Sequence, residues 1–552
     1  MRATTKTEAA MAEMEAAQEA VVKADPEADP EASREAAGHE AIATEPRRDE
    51  PRPAAPPAEP RHRTPRRTVR PRVDADAAAR VALSAGTTEG AQLSTSDVRG
   101  WLAERALAHA FRVDRIPFAA LDGWSFRPDT GNLAHRSGRF FTVEGLHVTE
   151  EAEPHGDGPY ADWYQPVISQ PEVGVLGLLV RDVGGVPHFL MQAKMEPGNP
   201  NLLQLAPTVQ ATRSNYTRAH RGGRVRHLEH FVGPGRGRVL ADVLQSEHGS
   251  WFFRKSNRNM VVEAAGDVPA GDDFVWLTLG QINELLHESN VVNMDARTVL
   301  SCLPHPDDGA GALLTDTELL SWITGERARH HVRAERVPLG GLPGWRRGTH
   351  AIEHEAGRYF RVVAVSVRAG SREVTRWTQP LFEPVGRGVA AFLIREFDGV
   401  PHVLAHARVE GGFLDTVELG PTVQYTPDNY AHLPAAEWPP FLDSVLRAVR
   451  AAPDRIRYAA VHAEEGGRFR NAESHYLVVA AEGTDASAHP PPGYAWVTPP
   501  QLRSLARHGH YLNVQARTLL ACLNAAPEAT GRTDRADRAD RADRADGGGT
   551  RA

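Results

Sequence analysis

The 552-residue chain lacks several features, and each absence narrows its chemistry. Its longest apolar stretch, Val173 to Val180, falls far short of the roughly 20 residues a membrane-spanning helix needs, so no membrane partner is expected. No basic head followed by an apolar segment stands at the amino terminus, which makes a cytoplasmic location the expectation. Two cysteines, Cys302 and Cys522, are too few for a disulfide framework or a four-thiolate metal site and read as small core residues. A net charge of −8 argues against a nucleic-acid partner. Lysine is nearly missing: it occurs only at positions 6, 23, 194 and 255, and arginine supplies the rest of the 63 basic residues, the bias of a high-G+C bacterial genome.

Residues 1–95 are almost free of aromatics and rich in Ala, Glu, Pro and Arg, so they are expected to be a disordered tail, with a transient helix over 9–22 and a solvated basic linker at Arg61–Arg72. Residues 526–552, with their Asp-Arg-Ala repeats, read as a second disordered tail.

Between the tails the chain repeats itself. Gly185 to Tyr216 aligns without gaps on Gly399 to Tyr430 with 16 identities in 32 positions, and Phe274 to Leu303 matches Tyr494 to Leu523 at 11 of 30. The match extends upstream, because Trp101 and Trp124 have the same spacing as Trp322 and Trp345, and Trp163-Tyr-Gln-Pro matches Trp377-Thr-Gln-Pro. Two tandem α+β modules are therefore expected, at 96–305 and 316–525, joined near 304–315. Each should hold a mixed sheet with flanking helices. Arg139–Glu144, Val173–Val180, His188–Ala193 and Asn259–Glu263 read as strands, with a hairpin at Asp182–Pro187. Residues 101–111, Leu279–His287 and Met294–Leu303 read as helices, the second begun by a Thr cap, and Trp276 and Trp496 as core.

The strings Trp163-Tyr-Gln-Pro, Gln192-Ala-Lys-Met-Glu-Pro-Gly, Gln204-Leu-Ala-Pro-Thr-Val-Gln-Ala-Thr, Ser214-Asn-Tyr, Arg254-Lys-Ser-Asn-Arg-Asn-Met and Asn290-Val-Val-Asn-Met-Asp-Ala-Arg-Thr resemble the NDP-hexose 2,3-dehydratases of deoxysugar biosynthesis, over about residues 100–525. The resemblance implies two tandem Nudix-like modules in a homodimer, acting on a dTDP-4-keto-6-deoxyglucose. Water is eliminated across C2 and C3 to a 2-deoxy-3,4-diketo sugar, which a 3-ketoreductase then captures, and antibiotic biosynthesis is the implied setting. Asn471 and His475 depart from the family pattern.

Such an elimination needs a base for the C3 proton, donors for the C4 enolate oxygen and an acid for the departing C2 hydroxyl. No cofactor is expected, since the chain has no glycine-rich dinucleotide fingerprint and no phosphate-cradling loop with its lysine. No metal is expected either: the glutamate-rich helix of Nudix hydrolases is missing, Glu196 and Glu410 stand alone, and His220, His227 and His230 lie in a polar loop.

Candidate substrate-binding groups are Lys194 and Lys255, the only lysines of the folded body, with Arg254, Arg258 and, at the position of Lys194, Arg408; a surface role for them stays open. The loops Pro207-Thr208-Val209-Gln210-Ala211 and Pro421-Thr422-Val423-Gln424-Tyr425 are candidate nucleotide-sugar loops. Trp124 and Trp345 are either thymine-stacking indoles or core. For proton transfer the shortlist is Glu418 and Tyr430, with Glu196 and Tyr216. Because Gln204 replaces Glu418 in the first module, catalysis is placed in the second, with Glu418 as base and Tyr430 as acid, structural capping by Glu418 remaining the alternative. Asn293, Arg297, Asn513 and Arg517 read as site residues or as a helix-start network. A non-catalytic nucleotide-sugar-binding module and a metal-dependent hydrolase are the competing functions.

Overall fold

The computed structural model describes residues 74–151, 161–216, 224–233, 237–306, 311–370 and 374–526. Most of the two expected tails and part of the joining segment lie outside these residues, as do the expected helix at 9–22, the basic run and His220.

In the first half the apolar run becomes strand Gly174–Val183, which turns back into Val186–Met195. A two-residue hairpin of this hand needs two left-handed residues, and Gly184 (φ 63°) and Gly185 (φ 90°) supply them. In the second half Asp398 and Gly399 serve the same turn between Gly388–Phe397 and Val400–Val409. Strand Ser256–Glu263 lies parallel to Gly174–Val183, while Arg238–Ser246 and Phe274–Thr278 add antiparallel neighbours at the two sides, so each body sheet is mixed. Ile456–Ala463, Glu473–Ala480, Gly388–Phe397, Val400–Val409 and Tyr494–Val497 repeat that order.

Helix Leu279–Leu286 starts at a capping box formed by Thr278 and Gln281, and Pro499–Ala506 at the same box from Thr498 and Gln501. Asn293 and Asn513 cap the following helices, Met294–Leu300 and Val514–Ala525, by accepting the backbone N–H three residues on. Trp276 and Trp496 are core residues, and both cysteines are buried and free.

The halves are not separate bodies. Leu178, Val261 and Ile282 share one apolar cluster with Phe392, Tyr476 and Leu519. Two buried arginines cross this interface in opposite senses: Arg297 donates to Ala463 O at 2.8 Å and Arg517 to Ser246 O at 2.5 Å. The second, smaller sheet of each half takes an edge strand from the other half. Phe111–Ile116 pairs antiparallel with Phe360–Ala369, and His331–Val337 with Thr142–Glu151. The exchange recurs at side-chain level, where the Trp124 indole donates to Thr378 O at 3.0 Å and the Trp345 indole to Tyr164 O at 2.7 Å.

One tail boundary is corrected. Residues 75–85, assigned by composition to the disordered tail, form an α-helix capped by Asp74. Its apolar face (Ala77, Ala78, Val81) packs on the first body, and Ser84 donates to Pro187 O while accepting from Leu279 N. Alanine-rich sequence has high helix propensity, and tertiary docking supplies the stability that a short isolated helix lacks. No helix of the described residues is long and apolar enough to cross a membrane.

Candidate active site

A cavity of about 440 Å³ opens where the first body sheet meets both smaller sheets. Strand Val186–Met195 runs into it and places Lys194 and Glu196, the short strand Val209–Ala211 places Gln210, and the approach to Ser256–Glu263 places Lys255 and Asn257. Asp295 enters from the first turn of its helix, and Glu247 from the end of Arg238–Ser246. The second half closes the far wall with Trp377, Gln379, Glu465 and Arg468. That closure depends on a tight backbone crossing: Gly198 N–H donates to Gly466 O at 2.7 Å, and a Cβ on Gly198 would stand 1.6 Å from Phe469 O. Only glycine fits there.

Carboxyl oxygens of Glu196, Asp295 and Glu465 lie within 4.8 Å of one another. Glu196 accepts from Gln210 at 2.5 Å, Asn199 at 3.2 Å and Asn293 at 3.3 Å. Its two neighbours have fewer donors. Burial, followed by the charges of Glu196 and Glu247, pushes Asp295 well above the ordinary carboxyl range, and burial pushes Glu465 up to about 7 against the pull of Arg468. Both shifts favour the protonated form of the pair. Asp295 Oδ1, Glu465 Oε2 and Glu247 Oε2 are buried without hydrogen-bond partners. Burial lowers Lys255 to about 8, and its ammonium donates to Glu172 O, Ser256 O and Asn257 Oδ1, which fixes its direction.

Glu196 thus does not stand alone, and its carboxyl cluster has the spacing to ligate a cation, as do His227, Glu229 and His230 on their surface turn. At the cluster, Lys194, Lys255 and Arg468 already supply positive charge, which works against a metal.

Of the residues singled out in the sequence, Trp124, Lys194, Gln210, Ala211 and Lys255 line the cavity. Pro207 is not among its lining residues, and Thr208 and Thr422 clamp their own sheets, each accepting from a strand N–H (Leu179, Leu393) and donating to a carbonyl (Leu190, Leu404). Val209 is core. Arg254 reaches over Phe253, and Arg258 forms a fork with Asp242 on the sheet edge. Trp345 belongs to the core shared by the halves. The side chain of Tyr216, at the end of a short helical turn, lies outside the described residues.

The structure places the expected base and acid elsewhere. Glu418 is fully buried, accepts from Ser246 Oγ at 2.5 Å, stands 3.4 Å from His510 Nδ1, and does not line the cavity. Tyr430 packs edge-on against Tyr425, and burial pushes its hydroxyl up to about 12. Beside it Arg408 pairs with Glu410 at 2.9 Å above the Tyr425 ring, and Gln424 donates to the same carboxylate at 2.8 Å.

Sequence reasoning missed Glu247, Asp295, Glu465 and Arg468 as site residues. A signal existed in the positions where the repeats disagree. The strand registers make Lys255 the counterpart of Ala472 and Asn257 that of Ser474, and helix alignment makes Asp295 that of Gln515. Arg468, three residues before the departing Asn471, lines the cavity of the other half, so a comparison with its own module misreads it.

The sequence model of the NDP-hexose 2,3-dehydratase family matches this chain twice, over residues 95–303 and 316–523. A protein of Amycolatopsis orientalis named dTDP-4-dehydro-6-deoxy-alpha-D-glucopyranose 2,3-dehydratase is 64% identical over 458 residues, which cover 83% of this chain and 96% of that protein. Proteins of the same name from Saccharopolyspora spinosa and Streptomyces violaceoruber are 48% and 50% identical, covering 78% and 79% of this chain and 92% and 98% of their own lengths.

Proposed function

The chain belongs to the NDP-hexose 2,3-dehydratase family, and from that premise we propose that it removes water across C2 and C3 of dTDP-4-keto-6-deoxy-D-glucose in the cavity of its first half. The observation that carries this placement is the buried carboxyl cluster of Glu196, Asp295 and Glu465, whose oxygens lie within 4.8 Å of one another in a cavity lined by two lysines. Glu247, a cavity-lining carboxylate with one oxygen held by Asn257 at 2.6 Å, takes the C3 proton. The ammonium group of Lys194 meets the C4 oxygen or the diphosphate, where charge develops or resides, and Lys255, its own ammonium held by Glu172, Ser256 and Asn257, adds positive charge beside it. The Asp295–Glu465 pair delivers a proton to the C2 hydroxyl. The C3–H and C2–O bonds break, the C2–C3 double bond forms, water leaves, and the enol becomes the 2-deoxy-3,4-diketo sugar.

The same reading includes a homodimer of Nudix-like modules in the cytoplasm, with a 3-ketoreductase consuming the product in antibiotic biosynthesis. The repeated mixed sheets with flanking helices support the module assignment.

The test incubates the protein with dTDP-4-keto-6-deoxyglucose in deuterated buffer, with and without chelator, and follows water loss and deuterium uptake by mass spectrometry. Water loss that survives the chelator is expected. Tight binding of intact substrate would overturn the reading in favour of a binding module.

A further inference from the structure

Behind the cavity wall, one buried histidine joins the halves. His248 follows Glu247 in the first half, and its Nε2 lies 3.0 Å from Glu464 Oε2 of the second. Glu464 also accepts from Ser474 Oγ at 2.9 Å and from the Tyr476 hydroxyl at 3.1 Å, so its carboxylate is saturated with donors. The other imidazole nitrogen, Nδ1, stands 3.9 Å from Glu247 Oε2. Both of those atoms are buried and lack a hydrogen-bond partner, and 3.9 Å is too long for a hydrogen bond, so they form an open gap beneath the cavity. The ring itself is confined by Trp251 on one face and the edge of Phe469.

We propose that His248 is a positioning residue through which the second half steers proton removal in the cavity of the first, an inference that rests on the dehydratase reading above. Both ring nitrogens face carboxylate oxygens, at 3.0 Å and 3.9 Å, and against the cost of burial the contact with Glu464, reinforced by Glu247 and Glu410, favours the charged imidazole. The imidazolium Nδ1–H then faces Glu247 and orients the carboxyl group that receives the C3 proton. The ring is surrounded by Glu247, Glu410 and Glu464, with Glu465 at the cavity, and Arg297 acts on Glu464 from the interface. The row Glu247–His248–Glu464 alternates charge from the cavity to the interface, which explains why a chain with a reactive first half retains a second half that lacks its lysine pair and aspartate.

The test compares His248→Gln, Glu464→Gln and the double variant in the full chain. Each single change leaves one buried charge without its partner and should lower the melting temperature, whereas the double change removes both charges and should restore it. The expected outcome is a double variant that melts near the parent, with KM within about twofold, kcat at least about tenfold lower, and the acid limb of its pH profile moved to higher pH. Parental kcat and profile in that folded variant would overturn the proposal, since a purely structural pair predicts recovery of both. Should the double variant not fold, histidine-selective NMR on the parent decides: an imidazolium at pH 7 is expected, and a neutral ring there overturns the proposal. A parental enzyme inert towards its substrate would overturn the dehydratase reading and this inference together.

Discussion

Equivalent positions of the two halves show how few side chains separate a cavity lined by lysines and carboxyls from a closed ion-pair cluster. In the first half Lys194, Ala211, Lys255 and Asp295 leave space around Glu196, and positive and protonatable groups share it. In the second half the same positions hold Arg408, Tyr425, Ala472 and Gln515. There the guanidinium closes on Glu410 and the tyrosine ring fills the volume beneath it. A planar fork satisfied by a carboxylate and an aromatic face closes the cluster of the second half, whereas two compact ammonium groups beside buried carboxyls line the cavity of the first. The same backbone therefore supports two arrangements of side chains that differ in charge and volume.

The comparison breaks first at the acid pair. Glu465→Gln should lower single-turnover water loss by about 100-fold or more, as expected for removal of a general acid, while Gln515→Asn in the second half should leave it within about twofold. Equal losses would mean that both halves react. Next, Lys255→Ala, which imports the residue of the second half, should reduce kcat/KM by about tenfold to 100-fold through loss of a charge-assisted contact, measured by steady-state kinetics. An unchanged value would make Lys255 a structural cation.

The third test uses pH. Burial raises Glu465 to about 7 from 4.5, so the folded protein binds proton more tightly than the unfolded chain there. The stability it contributes is present below pH 4.5 and is lost as pH rises through about 7. The water-loss rate should fall over the same rise as the acid form disappears, by about tenfold per unit at its steepest, and Glu465→Gln should flatten that limb. The smallest effect on rate is expected at Glu418. Glu418→Gln perturbs its contacts with Ser246 and His510 and should cost about 1–3 kcal/mol of stability by thermal denaturation, with the rate per folded molecule within about twofold. A stably folded Glu418→Gln that lost activity would return catalysis to the second half.

Much of the fold was legible where the signals are local. The Thr278 and Asn293 caps, the Gly184-Gly185 turn and the alternation of strands and helices depend on neighbours a few residues apart, and the repeat announced them twice. Helix 75–85 was hidden by the composition of the stretch around it, since the Ala and Glu content that reads as disorder also favours helix. The site was half legible. Lys194, Lys255 and Gln210 stand out by residue type and by their place in repeated strings, whereas Glu465 and Arg468 look like loop residues of the wrong module. Glu418 reads as a base because it is a carboxylate beside a suspected sugar loop, and its complete burial against Ser246, away from the cavity, is visible only in the tertiary structure.

From the amino-acid order alone follow the duplication, the mixed-sheet modules and the family, because repetition, periodicity and capping are properties of contiguous residues. Which half carries the open cavity depends on contacts between residues far apart in the chain. The exchanged strands Phe111–Ile116 and His331–Val337 and the crossing at Gly198 bring Glu465 to Glu196 and Asp295, and it is this encounter among buried side chains that raises the carboxyl groups of Asp295 and Glu465.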